Sequence, residues 1–282
     1  MYGILENTHA EREGMNEAAR VSRHSKNHKA PHNHRKSEDG NSYSADKVLK
    51  SFNTWSFKRQ QPDTPERLAR AVEHALADGR PVEFVMYWGR GPRRHAAEPE
   101  AQCLDYLGSL IHRVELAYPI GAALHLVFTD THARINGYDD VSTARYFLEV
   151  AKLAGAKGFS TVAMSEVMGE AGPIREIPED EHLPGSALLA KLSASAAKWH
   201  RGRATPVEAA RFYFRANLRE RQAIERVYPL AIFITFNGGD LRPLFPENLP
   251  IFYMYSLRRG TSEKPWFIDA PVLKDSATLA AE

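Results

Sequence analysis

The chain has 282 residues, of which 43% are hydrophobic and 26% charged, and its formal net charge is +2. These are globular values, enough for one large α/β domain or two small ones. They give no charge-based argument for a nucleic-acid partner, and no apolar run approaches the roughly 18 residues of a membrane span.

A single cysteine, Cys103, excludes an internal disulfide and a multi-cysteine metal site. It falls on an apolar helical face and reads as a small core residue. The stretch "MYGILENTHAEREG" lacks the basic-then-apolar order of a signal peptide. A cytoplasmic protein is therefore expected, with no membrane partner and an undetermined oligomeric state.

Residues 1–46 carry little apolar periodicity and read as a disordered tail. Arg20 to Ser37 has basic but no acidic residues, and holds His24, His28, His32 and His34. Metal capture or a basic arm is the alternative reading of that tract. Residues 47–282 read as a single α/β domain of catalytic type.

The first clear helix has Thr64 as N-cap and Pro65 at its first position. Its apolar face is Leu68, Ala71, Val72, Ala75 and Leu76, and Gly79 ends it. "PVEFVMYW" follows as a buried strand, then the loop "GRGPRRHAAEPE". A helix from about Pro99 to Tyr118 leads to a strand from Ala122 to Thr129. The next helix runs from about Val141 to Ala156, with Ala144, Phe147, Leu148 and Ala151 expected inward. Gly158 closes it, and "FSTVAM" is a third strand. A helix over about Gly185 to Trp199 precedes one with a capping box, Thr205-Pro206 with Glu208. "LAIFITF" and "IFYMYSL" are further strands.

This alternation predicts a Rossmann-like, mostly parallel sheet with helices on both faces. Ligands in such folds sit outside the carboxyl ends of the strands. That rule points to the loops at residues 88–98 and 129–140.

Arg90, Arg93 and Arg94 lie in the first loop, where guanidinium groups bind phosphate or carboxylate in pairs. Gly89, Gly91 and Pro92 would shape it for close approach. No G-K-[ST] and no G-x-G-x-x-G opens a helix, so no nucleotide cofactor is indicated. In the second loop Asp130 and His132 are candidates for acid/base work or substrate hydrogen bonding. Asp-x-His is also a metal-ligand spacing, with Asp139, Asp140, His182 and His200 as further donors, but no tight second motif accompanies it. A strand-end turn is the third reading of Asp130. The cations of "KWHRGR" suit a helix C-terminus, or a second anion contact.

From about residue 80 to 268 the order of motifs resembles the pyoverdine/dityrosine biosynthesis family, also called isonitrile (isocyanide) synthases. The residues concerned are "FVMYWGRGPRR", "EPEAQCLDYLGSL", "YPIGAALHLVFTDTHARING", "RQAIERVYPLAIFITFN" and "EKPWFI". The family's Ser-Asp-Gly is Thr129-Asp130-Thr131 here, and Asn136 stands where it has a second Asp. Its loop lysines are arginines and glycines, its strand Arg and His are Phe233 and Asn237, and its Pro-Trp-His ends in Phe267. His132 has no counterpart in the family at that place.

The resemblance implies condensation of an α-amino acid with ribulose 5-phosphate in specialised metabolism, with no metal or redox cofactor. It implies catalytic roles for Asp130 and Asn136, beside which His132, read from the residues themselves, could supply a further acid/base group. Arg90, Arg93 and Arg94 would bind phosphate, and Arg242 or Lys264 the amino-acid carboxylate. Asn237 and Trp266 join the substrate-binding set. Two other functions stay open: a non-catalytic sugar-phosphate-binding module, and a metal-dependent hydrolase built on Asp130 and His132.

Overall fold

The computed structural model describes residues 43–169 and 183–268. The histidine-rich tract and His182 lie outside the described residues.

Helices α1 (Ala45–Phe52) and α2 (Pro65–Ala77) come first, followed by strand β1 (Val82–Trp88). Then come α3 (Glu98–Ala117), β2 (Ala122–Phe128), a short α4 (Asp130–Ile135), α5 (Asp140–Gly155) and β3 (Ser160–Ala163). The second half holds α6 (Met164–Met168), α7 (Ser186–Trp199), α8 (Pro206–Val227), β4 (Ile232–Thr235) and β5 (Ile251–Tyr253). Two 3-10 turns, Gly239–Leu244 and Pro265–Phe267, follow β4 and β5 respectively.

The five strands form one parallel sheet in the order β3-β2-β1-β4-β5. β1 is central: Met86 lies beside Leu126 on one side and Ile234 on the other. The chain builds outward from β1 through β2 to β3, then returns to place β4 against the other edge of β1. That reversal opens a crevice at the carboxyl ends of β1 and β4.

Side-chain alternation along the strands separates two cores. Phe84, Met86, Trp88, Leu126, Ile234 and Phe252 face α1, α2, α3 and α5. Val85, Val127, Phe233, Ile251 and Tyr253 face the other way, toward α6, α7 and α8. Both faces are covered, which explains the near-continuous apolar runs of β1 and β4. Each fully buried large apolar side chain contributes about 1.5–3 kcal/mol.

Two details depart from the sequence expectation. Residues 129–140 are not a plain loop: α4 occupies their first half. In α5 the buried face is Thr143, Tyr146, Phe147, Val150 and Ala154, while Leu148 is 58% exposed and Ala144 also faces out. The helix is turned this way because Tyr146 has polar partners inside. Its hydroxyl donates to Glu100 Oε1 (3.0 Å) and accepts from Trp88 Nε1 (3.4 Å). Hydropathy alone ranks leucine above tyrosine for a core position and misses this.

Glu100 is fully buried at the start of α3. Its Oε2 accepts from the Ala97 amide (2.9 Å), and its Oε1 pairs with Arg93. Arg93 also donates to the Pro265 carbonyl (2.7 Å). Burial raises the Glu100 carboxyl pKa, against the pull of the Ala97 amide and of Arg93. Glu100→Ala leaves Arg93 without its carboxylate, so a loss of about 3 kcal/mol is expected in equilibrium denaturant unfolding.

Candidate functional site

The crevice between β1 and β4 holds a cavity of about 390 Å³, within the about 300–1,000 Å³ typical of small-ligand sites. Tyr87, Gly89, Phe233, Thr235 and Phe236 form its floor at the strand ends. Lys191, Ser195 and Trp199 of α7, with Tyr213 and Asn217 of α8, cover it. His132 and Asn136 come from the segment after β2, Arg59 and Asn237 lie at the end of β4, and Lys264 and Trp266 come from the Pro265–Phe267 turn and the residue before it.

One corner is an imidazole held by a carboxylate. Glu220 of α8 is fully buried. Its Oε1 accepts from the Thr131 hydroxyl (2.5 Å) and its Oε2 pairs with His132 Nε2 (2.5 Å). A carboxylate partner makes Nε2 the protonated nitrogen and leaves Nδ1 as the base. Nδ1 makes no hydrogen bond among the described residues. The ring is held edge-on to Tyr87 (centroids 6.4 Å apart) and against Tyr213 (4.6 Å). The buried Tyr87 hydroxyl has no hydrogen-bond partner among the described residues. Burial first, then the charge of Glu220, raise its pKa well above the usual tyrosine range, so it stays a proton donor. Tyr213 is shifted upward by the same two causes.

The opposite corner is cationic. Arg59, Lys191 and Lys264 all line the cavity. Arg59 is anchored on the Phe236 carbonyl (2.6 Å). Lys191 pairs with Asp240, the one acid among the lining residues. Burial, and then the charges of Lys191 and Arg59, lower the Lys264 ammonium pKa to about 8.

The arginine loop is built differently from the expectation. Arg93 is bound to Glu100 and Pro265, away from the cavity. Arg94 is exposed and outside the lining. Arg90 does reach the cavity wall, but its guanidinium is turned to protein partners. These are the Gly91 carbonyl, the Arg93 carbonyl (2.8 Å), the Ser142 hydroxyl (2.7 Å) and the Tyr138 ring (4.8 Å). The glycines serve close approach, though of the protein itself. A Cβ at Gly89 would lie 2.7 Å from the Trp266 ring, and one at Gly91 1.9 Å from the Trp266 carbonyl oxygen.

Asp130 is not among the lining residues. Its Oδ1 accepts from the Ser165 amide (3.0 Å), and Arg134 lies 3.5 Å from Oδ2. It therefore ties α4 to α6 through a backbone amide 35 residues away, rather than through the local amides of a strand-end turn. Arg242 is likewise occupied, pairing with Asp63 (2.9 Å) and donating to the carbonyls of Phe245, Pro246 and Glu247. Asn136 lines the cavity, and its carbonyl accepts from the Arg201 amide (2.7 Å). Arg201 donates to the Lys198 and His200 carbonyls at the end of α7, the helix-end role considered for that basic run. Among the described residues, no three His, Cys, Asp or Glu side chains gather in a metal-binding arrangement. Among them also, no helix is long and apolar enough to cross a membrane.

Sequence reasoning missed Arg59, Tyr87, Lys191, Tyr213 and Glu220. For Glu220 a signal existed: Tyr213, Asn217, Glu220 and Ile224 share one helical stripe of α8, with a carboxylate on its buried side. Arg59 and Lys191 look like ordinary surface cations until the fold brings them together.

The lowered Lys264 pKa sets a pH signature. The folded chain binds fewer protons than the unfolded one between about pH 8 and the ordinary lysine pKa of about 10.4, so the group disfavours folding below that window and the penalty is relieved as pH rises through it. Lys264→Met is expected to melt higher than the natural chain at pH 7. The gap should close toward pH 10, as read by thermal unfolding across pH.

No family model and no curated protein matches the chain. Among solved structures, the PvcA protein of Pseudomonas aeruginosa matches with a TM-score of 0.62 at 15% identity, over 79% of this chain and 87% of that one. A tyrosyl-tRNA synthetase of Archaeoglobus fulgidus, solved with L-tyrosine, matches at a TM-score of 0.40 and 13% identity, over 73% of this chain and 63% of that one, too low to carry an argument. The chain thus shares its α/β fold with PvcA.

Proposed function

We propose that the chain is an enzyme that joins an amine to an anionic carbonyl compound, the type of reaction isonitrile synthases perform on an amino acid and ribulose 5-phosphate. One observation carries the reading: a single cavity holds a carboxylate-bound imidazole, His132–Glu220, and a cluster of cations, Arg59, Lys191 and Lys264. An amine must lose a proton to attack, and the carbonyl oxygen must gain one. His132 Nδ1 suits the first task and the Tyr87 hydroxyl the second. The cations suit a phosphate or carboxylate, and the aromatic walls from Trp199, Tyr213, Phe233 and Phe236 suit an apolar or aromatic side chain. The motif resemblance and the fold shared with PvcA support the same class. Asn136 and Asn237 are proposed as hydroxyl-binding groups on the two flanks of the cavity, with Trp266 as part of its wall.

The direct test incubates purified chain with ribulose 5-phosphate and a panel of amino acids, with products read by mass spectrometry. Amino-acid consumption is expected with an apolar or aromatic member. No consumption across the panel overturns the reading. Within an active pair, His132→Gln and Glu220→Gln should each slow turnover per folded molecule by about 10²–10⁴-fold. Asp130→Ala should lower the melting temperature while turnover per folded molecule is kept.

A further inference from the structure

We propose that Lys264 is a covalent catalyst, forming an imine with the carbonyl carbon of a phosphorylated or carboxylated ketone. This rests on reading the cavity as a site for an anionic carbonyl compound, and goes beyond charge recognition by assigning Lys264 a bond-making role.

Geometry singles out Lys264 among the three cations. Arg59 is a guanidinium, which stays protonated and is a poor nucleophile. Lys191 is paired with Asp240, so its ammonium is already engaged by a carboxylate. Lys264 makes no ion pair among the described residues. The Phe267 ring centroid lies 6.0 Å from its Nζ. It stands immediately before the Pro265–Phe267 turn. Trp266 pins that turn by packing on Trp88 (centroids 5.5 Å apart) and against Gly89. An amine on a fixed backbone, inside a cavity and beside two other cations, is the arrangement that activates lysine toward carbonyls. With a pKa of about 8, about one molecule in ten carries the neutral amine at pH 7, against fewer than about one in a thousand for an ordinary lysine. Arg59 and Lys191 remain to hold the anionic group.

The step balances without any added reagent. The neutral Nζ attacks the carbonyl carbon, and the oxygen takes up a proton to give a carbinolamine. The carbon–oxygen bond then breaks, the oxygen leaves as water after a second protonation, and a protonated imine remains on Lys264. The amine of the second substrate attacks the same carbon, and Lys264 departs as the free amine. The product is the substrate-to-substrate imine. His132 is placed in the same cavity to move these protons.

The test is borohydride trapping on the full chain. The protein is treated with sodium borohydride in the presence of ribulose 5-phosphate, and separately of pyruvate, then examined by intact mass and peptide mapping. The expected result is one dominant reduced adduct on the peptide carrying Lys264, lost in Lys264→Arg and suppressed by excess inorganic phosphate. Trapping yield should rise with a midpoint near pH 8. The absence of an adduct, an adduct on Lys191, or adducts spread over surface lysines and unchanged in Lys264→Arg would overturn the proposal. Thermal melting of the same samples separates the two readings. Stabilisation by ribulose 5-phosphate without trapping overturns the imine alone. Neither stabilisation nor trapping overturns the anionic-carbonyl site as well.

Discussion

Glu220 is a carboxylate buried in the middle of α8, and a buried charge is tolerated only with good partners. Its partners, Thr131 and His132, both come from α4, at the carboxyl end of β2. The pairing therefore does more than neutralise a charge. It fastens the roof helix to the end of the sheet and fixes which nitrogen of His132 carries the proton. It also surrounds the ring with Tyr87 and Tyr213. Remove that one contact and the roof, the base and the donor lose their common reference.

The other side of β1 is organised by a second buried carboxylate, Glu100, with Tyr146, Arg93 and the Ala97 amide. Its effect reaches the cavity indirectly. Arg93 holds the Pro265 carbonyl, and so holds the turn that carries Lys264 and Trp266. The two carboxylates occupy opposite faces of the sheet, yet both act on the same crevice. Charged groups that pair inside the protein position those left facing the cavity, and in the loop after β1 Arg90 and Arg93 belong to the first kind.

Much of this fold was legible because its signals are local. Pro65, Gly79, the Thr205–Glu208 box and the apolar runs of β1, β2 and β4 each mark an element without reference to distant residues. The parallel, doubly covered sheet follows from their alternation. The site was legible in position and less so in composition. The strand-end rule pointed to the loops that carry His132, Asn136 and Arg90, all of which line the crevice, because it depends on topology alone. It could not tell an arginine facing a ligand from one bound to a buried glutamate, since Arg90, Arg93 and Arg94 are alike in sequence and differ only in tertiary partners. Asp130 drew attention for the same reason: an acid at a strand end suits catalysis and suits a backbone amide, and the Ser165 amide claims it. Arg59 and Lys191 are separated by more than a hundred residues, and no local pattern joins them.

The dependence of the loop glycines on Trp266 bears on the order in which the molecule is assembled. Gly89 and Gly91 lie early in the chain, and the ring and carbonyl that crowd them belong to a turn near the end of the described residues. The sheet can pair and its two cores can close before that turn docks, because few of their residues come from it. The cavity cannot, since one wall and one of its cations arrive only with residues 264–267. Contacts of such wide sequence separation form late and slowly. A chain emerging from the ribosome would therefore hold a folded sheet with an open crevice, and the closed cavity would appear at the last step of folding rather than growing with it.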